Sequence, residues 1–118
     1  MLDAMERELE SAVREICEPL GLSATAAKIW GNPPVAFDAG CIAAVRRAAE
    51  TSGYSAREIV SGAAHDAAYV SRVAPSAMIF VPCRDGISHN ETEDARPEHL
   101  EAGANVLLHA MLARAQGR

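Results

Sequence analysis

Two short polar stretches hold the side chains of this chain that could do chemistry. The first, Pro82-Cys83-Arg84-Asp85-Gly86-Ile87-Ser88-His89-Asn90-Glu91, follows an apolar run and puts an imidazole and carboxylates on one loop. The second, Ser61-Gly62-Ala63-Ala64-His65-Asp66-Ala67, repeats the design, with small residues leading into His and Asp just ahead of a helical pattern. A neutral imidazole can bind a borderline divalent metal or donate to a developing oxyanion. Two such loops in a chain of 118 residues therefore predict a single active site built from both.

The elements that must position these loops are legible from periodicity. Leu2, Met5, Leu9, Val13, Ile16, Cys17 and Leu20 recur at steps of three and four, which predicts an amphipathic helix stopped by Gly21. Leu22 to Trp30 alternates loosely and halts at Gly31-Asn32-Pro33-Pro34, as a strand followed by a stiff connector does. Asp38 is an N-cap for a second helix through Cys41, Ile42, Val45, Ala48 and Ala49 that ends near Ser52-Gly53. Arg57 to Val60 predicts a brief strand, Ala67 to Ala74 a third helix, and the continuous apolar run Ser76 to Val81 a strand buried on both faces of a parallel sheet. Pro97 suits the first position of a last helix, with Leu100, Ala104, Leu107, Leu108, Met111 and Leu112 on one stripe. The expected architecture is therefore α/β, with both His loops at one edge of a sheet. Three short strands make a poor sheet for an independent domain, so the chain is expected to be part of something larger.

Composition excludes several classes. A net charge of -5, with eleven basic residues scattered among sixteen acidic ones, leaves no clustered cationic face for nucleic acid. No run approaches the roughly 20 apolar residues of a membrane span, and the first residues are acidic and amphipathic rather than signal-like, so a cytoplasmic location is expected. Cys17, Cys41 and Cys83 are odd in number and form no CxxC pair, which predicts reduced thiols rather than disulfides or a thiolate zinc site.

Three segments together resemble a known family: Ser61 to Ala67, the run from Arg72 through Glu91, and Gly103-Ala104-Asn105-Val106-Leu107-Leu108. They look like the hydantoinase/carbamoylase branch of the M20 metallopeptidase-like amidohydrolases, which includes N-carbamoyl-L-amino acid hydrolases, allantoate amidohydrolases and β-ureidopropionases. The resemblance implies that residues 1–33 are the last helix and strand of a lid and dimerisation domain, and that residues 34–118 are the C-terminal segment of a metal-dependent catalytic domain.

It further implies that His89 is a metal ligand, that His65 contacts the substrate near the scissile group and acts catalytically, and that Gly62 and Ala63 let the backbone approach the substrate. Glu91 would hold His89 from behind. Ala64 stands where the family pattern has glycine, and a positive φ there would cost about 1 kcal/mol. The implied reaction is hydrolysis of the carbamoyl or ureido C–N bond of an N-carbamoyl-L-amino acid or similar ureido acid. The implied cofactor is a divalent metal (zinc, manganese, cobalt or nickel). The family's remaining ligands, its general-base glutamate and its carboxylate-binding residues have no match here, so the chain alone is expected to be inactive and to bind metal weakly. A homo-oligomer, or a companion chain carrying the N-terminal half, is the expected partner. The alternative from another class is a noncatalytic self-association or binding module derived from the family.

Overall fold

The computed structural model describes residues 2–117, which divide into two compact units meeting in sequence between Pro33 and Pro34. In the first unit, α1 spans Leu2–Cys17 and passes into a 3-10 turn at Glu18–Leu20. Gly21 ends it in the left-handed conformation at φ 64°, its N–H returning to the Glu18 carbonyl, a conformation glycine adopts without a Cβ penalty. The sequence pattern anticipated both the helix and its stop. Lys28 reaches back to pair with Glu6 on α1, and that hydrogen bond raises the lysine pKa. The apolar stripe of α1 is open: Leu2, Met5, Leu9 and Ile16 are each more than half exposed.

The second unit is built on α2 (Ala39–Thr51) and α4 (Pro97–Ala115), with a single turn of helix, α3 (Ala67–Val70), between them in sequence. Asp38 starts α2 as anticipated: its Oδ1 accepts the Cys41 N–H at 2.7 Å. That bond holds the Asp38 carboxyl below the usual aspartate range, with the Arg114 guanidinium adding to the effect. Burial pushes the Cys41 thiol up, and the neighbouring Asp38 pushes it further, while the Arg114 guanidinium acts in the opposite direction.

Ala44, Ala48 and Ala49 of α2 meet Val106 and Ala110 of α4 to form the core, with Val45, Tyr54 and Ile79 packed around it. Side chains this small let two helices approach closely. Asn105 of α4 donates to the Tyr54 hydroxyl just beyond the end of α2 at 3.1 Å, while Arg114 lies over Gly40 at its start, so the two helices run antiparallel.

The α/β expectation is corrected in one respect: among the described residues there is no β-strand. The segments 22–30, 57–60 and 76–81 lie outside helices, but none has another beside it to complete a ladder. A strand exists only through its neighbour's hydrogen bonds, and an apolar pattern cannot supply the neighbour. The run 76–81 nevertheless takes a defined place. The Ser76 carbonyl accepts the Asp38 N–H at 3.0 Å, Ile79 packs against the helix core, and Val81 lies on Gly103 of α4. The third helix is likewise shorter than the expected 67–74: it spans four residues and continues only as turns toward Ala74.

A Cβ added at Gly103 would lie 2.6 Å from Val81 Cγ1, too close for the branched valine to yield without moving its backbone. Gly103→Ala is therefore expected to destabilise the second unit by about 1–3 kcal/mol, read by urea unfolding followed through helix content. An unchanged midpoint would show that Val81 does not rest on α4. The Asp38 cap generates a second expectation. Because its carboxyl titrates lower when folded than when unfolded, its stabilisation is fully present above the ordinary aspartate value, about 4, and is lost as pH falls through the lower folded value. Asp38→Ala should lower the thermal midpoint at neutral pH and flatten its acid dependence, with Asp38→Asn intermediate at neutral pH. Identical acid profiles for wild type and Asp38→Ala would count against the cap.

Candidate functional site

The run 76–81 stands between the two His loops in sequence and touches the first of them in space. His65 precedes α3 and sets the edge of its ring on Phe80, centroids 5.4 Å apart and planes inclined by 62°. The Ser61 hydroxyl lies 2.7 Å from His65 Nε2 and also accepts the Ala63 N–H at 3.1 Å, so the serine ties the loop to its own histidine. Gly62, Ala63 and Ala64 are exposed. Ala64 does not adopt positive φ, since Asp85 and His89 are the non-glycine residues that do among those described, so an alanine there carries no left-handed strain.

The second loop leaves the run at Pro82 and closes at its neck, where the Arg84 N–H donates to the Asp94 carbonyl at 2.7 Å. Inside it the chain turns left-handed at Asp85 (φ 54°) and Gly86 (φ 70°), and again at His89 (φ 57°). Such a backbone costs a non-glycine residue about 1 kcal/mol or more, although histidine is among the residue types that accept it more readily. The Ser88 hydroxyl meets His89 Nδ1 at 2.9 Å. Asn90 accepts both the N–H and the hydroxyl of Thr92 on its side-chain oxygen, at 2.9 and 2.8 Å. His99, in the first turn of α4, bonds the base of the loop: Nδ1 lies 3.2 Å from the Pro82 carbonyl and Nε2 3.1 Å from Arg96 Nη2. A carbonyl only accepts and a guanidinium only donates, so both contacts are made together when Nδ1 donates to Pro82 and Nε2 accepts from Arg96.

The two histidines singled out by sequence thus come together: the rings of His65 and His89 have centroids 6.4 Å apart, inclined by 54°. His65 is half-buried and His89 exposed, so a small ligand could reach both from solvent. Glu91 is exposed in the same loop, but the carboxylate that bonds His89 is that of Glu93, whose Oε2 accepts the His89 backbone N–H at 2.8 Å. Glu93, Ser61 and Ser88 were not singled out by the sequence reading, although each lies within four residues of a histidine that was. The two serines could have been found from their hydroxyls' reach toward an adjacent imidazole. Glu93 had no such signal, because its partner is a backbone amide.

A metal is what the resemblance implies for this site. Among the described residues no group of three or more His, Cys, Asp or Glu side chains is placed to hold one. The donors present do not fit a complete hydrolytic metal centre, which takes about three protein ligands and an open position.

Two helices thus flank an extended run, beside which the rings of His65 and His89 come near each other. The family model for peptidase family M20/M25/M40 matches residues 8–113, and the chain belongs to that family. It is 45% identical over 115 residues to an N-carbamoyl-L-amino-acid amidohydrolase of Rhizobium meliloti, covering 98% of this chain and 28% of that protein. It is 34% identical over 107 residues to an allantoate amidohydrolase of Bacillus subtilis, covering 91% of this chain and 26% of that one. A crystal structure of a hydantoinase/carbamoylase family amidase from Burkholderia vietnamiensis superposes with a TM-score of 0.93 at 57% identity, over 97% of this chain and 28% of that one. The chain therefore spans little more than a quarter of the length of the relatives it matches, and its place is in the hydantoinase/carbamoylase branch.

The left-handed backbone at His89 makes a direct expectation. His89→Gly should be more stable than His89→Ala by about 1 kcal/mol, because glycine meets no Cβ clash at that φ. Denaturant unfolding of the two variants tests this, and equal stabilities would mean that the residue does not hold this conformation in solution.

Proposed function

We propose that this chain contributes the C-terminal part of a metal-dependent amidohydrolase that cleaves the carbamoyl or ureido C–N bond of an N-carbamoyl-L-amino acid or a similar ureido acid. The observation that carries the reading is the pairing of His65 with His89, on separate loops, in a chain whose relatives hydrolyse such bonds. On this reading His89 supplies one ligand to a divalent metal, whether zinc, manganese, cobalt or nickel. The remaining donors and the general base come from outside the described residues. When bound, that metal supplies Lewis-acid activation of the reacting groups.

The roles of the chain's own residues follow from their chemistry. His65, held through Nε2 by Ser61, presents an imidazole that can donate to an oxyanion developing on the carbamoyl carbon. Gly62 and Ala63 are exposed, so a substrate can approach them without meeting a large side chain. Glu91 would act around His89 rather than on substrate. Among the described residues no helix is long and apolar enough to cross a membrane, and we place the working protein in the cytoplasm without a nucleic-acid partner.

The apolar stripe of α1 and the exposed Leu107, Leu108 and Met111 of α4 favour burial against further protein, either a second copy or a companion carrying the remainder of the fold. Those same surfaces are what favours the noncatalytic module as a second reading. Isolation of the chain with its natural assembly, followed by ammonia release from an N-carbamoyl-L-amino acid, separates the two. Turnover should fall about 10²- to 10³-fold in His65→Ala. In His89→Ala the assembly should lose metal as well as turnover. An assembly without turnover, or one whose turnover and metal content survive His89→Ala, would leave the module.

A further inference from the structure

Glu93 is the side chain most closely bound to the backbone of His89, and nothing in the chemistry described so far uses it. Its Oε2 accepts the His89 N–H at 2.8 Å, and its Oε1 stands 3.8 Å from Cys83 Sγ on the opposite arm of the loop, a thiol whose single proton the Val81 carbonyl also faces at 3.8 Å. Its own N–H donates to the Asn90 carbonyl at 2.9 Å, and the next residue, Asp94, closes the neck onto Arg84 at 2.7 Å. Glu93 is therefore anchored beside the neck of the loop, with its exposed carboxylate reaching toward both arms.

His89 is where the loop needs such an anchor. A φ of 57° is a sparsely populated conformation for a side chain with a Cβ, and it persists only where surrounding bonds over-determine it. The tight turn from Asn90 to Glu93 brings the carboxylate back under the His89 amide, and the Asn90 side chain fixes that turn by taking both the N–H and the hydroxyl of Thr92. A carboxylate offers two acceptor oxygens in one plane, which is what bridging an amide and a thiol from opposite arms requires. Bonds in which the acceptor is ionised are also the stronger kind.

We propose that Glu93 is the positioning residue of His89: its carboxylate clamps the two arms of the loop and locks the His89 backbone left-handed, which sets the direction in which the ring leaves the loop. With Nδ1 turned to the Ser88 hydroxyl, the clamp presents Nε2 as the ring nitrogen for a ligand. The consequence for catalysis rests on the reading of His89 given above, whereas the clamp concerns only the backbone.

The test is nuclear magnetic resonance on the ¹⁵N-labelled full chain, following hydrogen exchange at the His89 amide and its three-bond coupling to Hα. In Glu93→Ala the His89 amide should exchange about tenfold faster, as expected for the loss of one hydrogen bond to a charged acceptor, and the coupling should move to an averaged value while the α4 amides stay as in wild type. Glu93→Gln keeps one acceptor oxygen and should restore most of the protection. Unchanged exchange and coupling at His89 in Glu93→Ala would overturn the proposal. Should Glu93→Ala loosen α4 as well, Glu93→Gln decides: retained protection at His89 supports the clamp and lost protection overturns it. Turnover of the natural assembly keeps the two ideas apart. Activity that survives His89→Ala while the wild-type clamp is intact by resonance defeats the functional reading and leaves the clamp standing.

Discussion

The antiparallel contact of α2 and α4 is the interaction on which the second unit depends. Its core is small, formed by Ala44, Ala48 and Ala49 against Val106 and Ala110, and Ala44 is only 1% exposed. Alanine buries little area per residue, but it brings the helix backbones near each other and costs no side-chain entropy in a helix. The run 76–81 is then laid along this pair, held at one end by the Asp38 amide and at the other by Val81 on the bare backbone of Gly103. Both histidine loops take their positions from that run, His65 through Phe80 and His89 through direct continuation of the chain past Pro82. The placement of both loops is thus inherited from a helix pair that holds neither His65 nor His89.

That dependence explains what was legible in the sequence. Helices carry their own hydrogen bonds, so periodicity and caps were sufficient to place α1, α2 and α4 to within a few residues, including the Asp38 cap and the Gly21 stop. Strands carry half of theirs, and the segments 22–30, 57–60 and 76–81 matched strand patterns without finding a second strand among the described residues. The difference is starkest at Ile29 and Val60, each 97% exposed although both fall in segments expected to be strands. The run 76–81 fared better because helices cover part of it, leaving Ile79 half-buried. In each case the pattern identified a segment suited to a sheet, and the neighbour decided whether a sheet formed.

The site divides along a similar line. Residue type and loop placement drew attention to His65 and His89, and the resemblance supplied the roles expected of them. The groups that hold those rings were harder to see. Ser61 and Ser88 act through hydroxyls that any surface serine also carries, and Glu93 acts on a backbone amide four residues back. The left-handed turn at His89 was also invisible, because the sequence offers a histidine where a glycine would have announced it. The two imidazoles were therefore easier to recognise than the side chains that hold them.

A residue that needs a left-handed backbone in order to point its ring is a poor choice for stability and a reasonable one for a ligand. The conformation removes the variability that an exposed loop otherwise has, so the strain is compensated by direction. The same loop spends two further positions on left-handed backbone, at Asp85 and Gly86, and closes itself with the Arg84 to Asp94 bond. His65 is restrained by other means, through a ring edge on Phe80 and a hydroxyl at Nε2, without backbone strain at Ala64. One imidazole is thus oriented through its backbone and the other through its side chain. Because the direction of His89 passes through its backbone, it depends on the bonds that hold that backbone, the Glu93 carboxylate first among them. Direction fixed by a hydroxyl and a ring edge depends instead on groups that touch the imidazole itself.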